Sequence, residues 1–179
     1  MKRLHAYALV ATASLAATGA VIAAERLKVD LKKISETGVG ETVGTATLTD
    51  SRKGVAIVIK AKGISKGEHG FHLHEKGDCG PAAGPDGKMA PGMAAGGHFD
   101  PDATKSHKGP GKGGHKGDLP LLKANDRGNV SQTVTVTHMK LADAKGRSLM
   151  IHEGGDNYTD QPANGGGAGR IVCGVIPAK

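Results

Sequence analysis

Residues 42–61 read TVGTATLTDSRKGVAIVIKA. Thr, Val and Ile dominate both halves, and Asp50-Ser51-Arg52-Lys53-Gly54 interrupts them with turn formers. β-Branched side chains pack well on a pleated surface, so the halves predict strands at 42–49 and 55–61 joined by a hairpin loop. Working outward, Leu27, Val29 and Leu31 alternate with Lys28 and Asp30, the period-two pattern of a half-buried strand. Further strands are predicted at 69–74, 120–124, 130–136, 147–152 and 170–176, with Asn125-Asp126-Arg127-Gly128 as a turn. No segment shows a convincing helical period. Eight short strands and two long loops, at about 76–119 and 153–169, predict an all-β antiparallel sandwich or barrel.

The chain has 179 residues, the length of one domain with a little to spare. Its 29 glycines follow no three-residue period, which excludes collagen. Only Tyr7, Phe71, Phe99 and Tyr158 are aromatic, too few to stack nucleic-acid bases, so no nucleic-acid partner is expected. The core must be built from Val, Ile, Leu and Ala, with Phe71 and Phe99 as packing residues.

Met1-Lys2-Arg3 is a short basic start, and residues 6–24 (AYALVATASLAATGAVIAA) carry no charge. That pattern reads as a cleavable secretory signal over residues 1–24, leaving residues 25–179 as the mature domain. The segment is weakly apolar for a permanent span, and no cysteine lies near the cut, so no stable membrane anchor is expected. The formal charge of +7 becomes +5 once Lys2 and Arg3 leave. Export places Cys79 and Cys173 in an oxidising compartment, where two cysteines most simply form one disulfide.

The chemistry gathers in and beside the loops. His72 and His74 stand two apart on a strand and share a face, with Phe71 and Leu73 turned to the core. His98, His107, His115 and Asp118 offer three imidazoles and a carboxylate, a donor set matching tetrahedral zinc. His152 ends a strand on the face opposite Leu149 and Ile151. With His72 and His74 it makes a nitrogen-rich, carboxylate-poor set that suits copper. His98 fits either set. His69 reads as a hydrogen-bonding structural residue, and His138 as structural or exposed.

Five motifs carry a family likeness: GFHLHEKGDC (70–79), GGHFDP (96–101), GHKGDLP (114–120), HEGGDNY (152–158) and GRIVCGVI (169–176). Together they resemble copper/zinc superoxide dismutase, in its exported bacterial form. The resemblance implies a Greek-key β-sandwich or barrel of eight strands, an architecture for which this enzyme is a standard example. It implies one copper per chain on His72, His74, His98 and His152. It implies one zinc per chain on His98, His107, His115 and Asp118, with His98 bridging the metals. Asp156 would link His72 to His107, and Arg170 would guide the anionic substrate. Cys79 and Cys173 would tie the first long loop to the last strand.

The implied activity is disproportionation of superoxide to O₂ and H₂O₂ in the periplasm, with His98 and Arg170 as the acting residues, by a monomer or homodimer. Two other readings stay open at this point. A copper- and zinc-binding protein without turnover would use the same ligands but give Arg170 no role. A zinc hydrolase would need an open metal position and a nearby base, and Asp118 closes the zinc set.

Overall fold

The strand expected at 27–31 extends in both directions in the computed structural model, which describes residues 24–179. β1 (Arg26–Ser35) buries Leu27, Val29 and Leu31; past Leu31 the register slips at a bulge and the buried position moves to Ile34. β2 (Gly38–Ser51) buries Val43, Ala46 and Leu48. β3 (Gly54–Ala61) buries Val55, Ile57, Ile59 and Ala61 in strict alternation. The signal segment expected at 1–24 lies, apart from Ala24, outside the described residues.

The expected run 69–74 is two strands, β4 (Gly67–His69) and β5 (Phe71–His74). The chain changes sheet at Gly70, whose N–H donates to the Gly154 carbonyl and whose carbonyl accepts from the His152 N–H. Two short strands inside the first long loop, β6 (Ala82–Ala83) and β7 (Met89–Ala90), pair with each other. The remaining strands are β8 (Leu122–Ala124), β9 (Val130–Val136), β10 (Ser148–His152) and β11 (Arg170–Val175). Among the described residues the one α-helix, α1 (Leu141–Ala144), is too short to leave a periodic signal.

Seven strands form one sheet in the order β5-β10-β11-β1-β2-β3-β9, with each neighbouring pair antiparallel. The last strand returns beside the first, as in a Greek key. The small β4–β8 sheet links the two ends of the large one, since β4 runs on into β5 and β8 packs against β9. One apolar cluster running from Leu27 to Ile176 fills the inside, with Phe71, Leu73, Leu149 and Ile151 beneath the site. A second, smaller cluster of Ile34, Cys79, Ala95, Met150 and Cys173 lies under the first long loop.

β5 is an edge strand, and its outer edge would expose unpaired backbone groups. The long loop covers it. Leu73 N–H donates to the Gly117 carbonyl (2.9 Å), Phe99 N–H to the Leu73 carbonyl (2.8 Å) and Leu119 N–H to the Phe71 carbonyl (3.2 Å). This pairing sets His98 opposite His74 and Asp118 opposite His72.

Candidate metal centre

On β5, His72 and His74 face away from the core. In register, Met150 stands beside His72 and Ser148 beside His74, so His152 falls on the same face one step beyond. A bulge between Ile151 and His152 sets His152 opposite Arg170. The covering loop contributes His98, and the rest of that loop folds back to bring His107 and His115 around Asp118.

Six imidazole nitrogens in this cluster are buried without a hydrogen-bond partner: His72 Nδ1, His74 Nε2, His98 Nε2, His107 Nδ1, His115 Nδ1 and His152 Nε2. A buried polar atom without a partner costs about 1–3 kcal/mol, so six in one cluster require an explanation. The other nitrogen is occupied in most of these rings. His72 Nε2 pairs with Asp156 Oδ2 (2.7 Å), His107 Nε2 with Asp156 Oδ1 (2.8 Å) and His74 Nδ1 with the Gly96 carbonyl (3.0 Å). Each such contact fixes the ring so that its free nitrogen points inward.

The inward atoms sort into two sets. His72, His74, His98 and His152 present ligand atoms all within 4.8 Å of one another, and all four residues are buried. The second set centres on Asp118 Oδ1, which lies 3.1 Å from His98 Nδ1, 2.9 Å from His107 Nδ1 and 3.3 Å from His115 Nδ1. The His107 and His115 nitrogens approach that oxygen without forming hydrogen bonds, as lone pairs do around a shared cation. Ligand arms of about 2.0 Å at tetrahedral angles would put donor atoms about 3.3 Å apart. His72 also lies within 4.8 Å of His98, His107 and Asp118. With Nε2 committed to Asp156, His72 has one free nitrogen, Nδ1, which the all-histidine first set uses, and His115 completes the second set. His98 belongs to both sets, with Nδ1 toward Asp118 and Nε2 free for the first.

Electrostatics follows the same division. Burial lowers the His72, His74 and His152 rings below the ordinary histidine range and pushes His98 down to about 3, so all four present neutral imidazoles. Burial also opposes charge on His107, but the negative charges of Asp118 and Asp156 and the hydrogen bond to Asp156 prevail and raise it to about 9. Burial works against charge on both carboxylates too, yet the facing imidazoles hold Asp118 and Asp156 well below the usual carboxylate range.

Arg170 lines a cleft of about 540 Å³ together with His98 and His152. Its Nη1 donates to the Gly92 carbonyl (2.6 Å) and its Nη2 to the Gly96 carbonyl (2.9 Å), so the guanidinium is held in place at the cleft. Cys79 and Cys173 are joined, their Cα atoms 5.7 Å apart across 94 positions, and tie the loop to β11. His69 bonds two carbonyls, His152 O through Nδ1 (2.7 Å) and Ser65 O through Nε2 (2.8 Å), in keeping with a structural role. His138 Nε2 bonds the Lys116 carbonyl (3.1 Å), which makes it an anchor of the metal loop.

Two further anchors have roles that local spacing does not show, although Tyr158 closes the motif at 152–158. Asp160 accepts from the His107 N–H (2.6 Å) and the Ser106 hydroxyl (3.0 Å). The Tyr158 hydroxyl accepts from the Leu121 N–H (2.9 Å), and its ring fills the space beside Gly109 where a Cβ would collide. Each ties the two long loops together, a relation that local spacing does not encode.

An antiparallel β-barrel carrying two imidazole sets joined by one shared histidine defines a two-metal protein. Residues 42–176 match the copper/zinc superoxide dismutase family, and the chain belongs to it. The superoxide dismutase [Cu-Zn] of Brucella abortus is 47% identical over 155 residues, covering 86% of this chain and 89% of the relative. That of Escherichia coli K12 is 44% identical over 178 residues, 98% of this chain and 99% of the relative. Among solved structures, the Brucella abortus enzyme superposes with a TM-score of 0.82 at 47% identity, covering 85% of this chain and 99% of the other. The monomeric enzyme from Salmonella enterica superposes at 0.76 with 43% identity, again over 85% and 99%.

Proposed function

We propose that this chain disproportionates superoxide, 2 O₂•⁻ + 2 H⁺ → O₂ + H₂O₂, at the joined pair of imidazole sets. The observation that carries the reading is the sorting of six unpartnered buried nitrogens into two sets that share His98. His72, His74, His98 and His152 would hold copper, since four neutral imidazoles suit it. His98, His107, His115 and Asp118 would hold zinc, since three imidazoles and a carboxylate suit it. When bound, copper supplies the one-electron oxidation and reduction of successive superoxide ions, and zinc, having no redox step, holds the geometry.

The chain's own residues do the rest. Arg170 offers a fixed cation to a small anion in the cleft, and two backbone carbonyls keep it from turning away. His98 would hold a proton at Nε2, which no protein group partners, and release it to the product. Asp156 keeps His72 and His107 oriented through one carboxylate. The oriented guanidinium favours this reading over metal storage, which has no use for an anion-binding cation.

Residues 1–24 would be the export signal and 25–179 the mature domain, acting in the periplasm. Bacterial relatives and the Cys79–Cys173 disulfide support an exported protein. No helix among the described residues is long and apolar enough to cross a membrane.

The test is superoxide decay by the copper- and zinc-loaded domain, with His152→Ala alongside. Fast decay in the parent and loss in the variant are expected. A fully metallated parent that leaves superoxide untouched would overturn the reading in favour of metal storage.

A further inference from the structure

The cleft that admits superoxide must also admit copper, and the two have opposite charge. Two histidines of the copper set, His98 and His152, line a cleft with Met93, Pro162, Ala168 and Arg170. His98 and His152 are 6% and 5% exposed, and their Nε2 atoms are unpartnered. The Arg170 guanidinium is fixed in that cleft by the Gly92 and Gly96 carbonyls. It attracts an anion and repels a metal ion, and the repulsion doubles from a monovalent to a divalent ion.

Outside the histidines the cleft is lined by proline, glycine and alanine, the arginine, and one sulfur-bearing residue, Met93. A thioether is neutral and soft, the donor type that selects copper(I) over harder ions. Met93 opens the short 3₁₀ turn Met93–Ala95, and the residue before it, Gly92, provides a carbonyl that holds Arg170. The soft donor is therefore carried by the same turn that restrains the cation. Resting on the copper set proposed above, we propose that the Met93 thioether captures copper(I) in the cleft and hands it to the His72–His74–His98–His152 set. Met93 is a loading residue here and takes no part in turnover.

The experiment supplies copper(I) anaerobically, as its bicinchoninate complex, to the zinc-loaded, copper-free protein and follows bleaching of that complex. Met93→Leu keeps volume and apolarity but removes the sulfur. It is expected to slow transfer about tenfold, the effect of losing about 1.4 kcal/mol at the limiting step. Final copper content should match the parent. Met89→Leu is the control, because Met89 is 51% exposed on the preceding hairpin and lies outside the cleft lining.

Transfer to Met93→Leu at the parent's rate would overturn the proposal. So would equal slowing with a copper(II) chelate, which would make Met93 a matter of shape and not of ligation. A parent that retains no copper, with or without His152→Ala, would remove the copper set itself and the proposal with it. That outcome is read from metal content and is distinct from a rate that ignores the thioether.

Discussion

At the scale of single residues, Asp156 has the widest reach. Its two oxygens serve one histidine from each set, His72 at 2.7 Å and His107 at 2.8 Å, and Oδ1 also accepts from the Tyr158 N–H. Both rings offer Nδ1 inward, so both must carry the proton on Nε2 and donate it to this carboxylate. An amide has only one acceptor oxygen and would turn its own N–H groups toward the second ring. Asp156→Asn is therefore expected to weaken metal retention about 10- to 100-fold, in the range seen when such supporting carboxylates are lost. Competition against a chelator measures this, and unchanged copper and zinc retention would refute the linking role. The space around the carboxylate is tight: Gly165 has φ +73°, and a Cβ there would overlap Asp156 and His107.

At the scale of elements, the site exists because an edge strand needs a partner. β5 has β10 on one side only, and the loop hydrogen-bonds along its other side at Leu73 and Phe71. That loop is Gly-rich and polar, with little apolar surface to hold it down. The Cys79–Cys173 disulfide, together with Ile34, Ala95 and Met150, supplies the missing attachment to the sheet. Replacing both cysteines with serine should cost about 2–5 kcal/mol of stability, the usual effect of losing a native disulfide. Thermal unfolding with and without metals measures it. The loss should be larger in the metal-free protein, because bound metals hold the same loop from its other end. Equal losses in both forms would mean that disulfide and metals restrain different parts of the chain.

At the scale of the whole molecule, charge matters more than shape. Without Lys2 and Arg3 of the expected signal the chain carries +5, with Lys105, Lys108, Lys112 and Lys116 on the metal loop. A small anionic substrate gains on-rate from such a field, and salt screens it over about 10 Å at 0.1 M. Turnover at low substrate should fall as ionic strength rises. Arg170→Ala should lower that rate about tenfold and flatten the salt dependence, because the fixed charge at the end of the funnel is gone. A rate that stays level or rises with salt in the parent would show that steering does not limit capture.

The strands were legible because their signals are local. Alternation at 27–31 and 55–61 follows from a side-chain period of two and survives any tertiary context that buries one face. The same period placed His72 and His74 on one face and Phe71 and Leu73 on the other. Donor type and strand placement, and then the family motifs, named the remaining ligand candidates, and the structure brings all of them together. The division of the 69–74 run at Gly70 was not legible, because it depends on which strand lies alongside each half. Spacing left His98 between the two sets; its place beside both comes from the loop pairing along β5. Tyr158, Asp160 and His138 act on residues 22 to 54 positions away, so no local pattern announces them. The placement of Met93 beside Arg170 likewise depends on a turn folded against a distant strand. By itself, then, the sequence determined the main strands, the core face and the donor inventory, since these depend on side-chain chemistry and short-range periodicity. Only the tertiary structure decided which donors share a centre, because that depends on how an unpaired strand edge is satisfied by a loop distant in sequence.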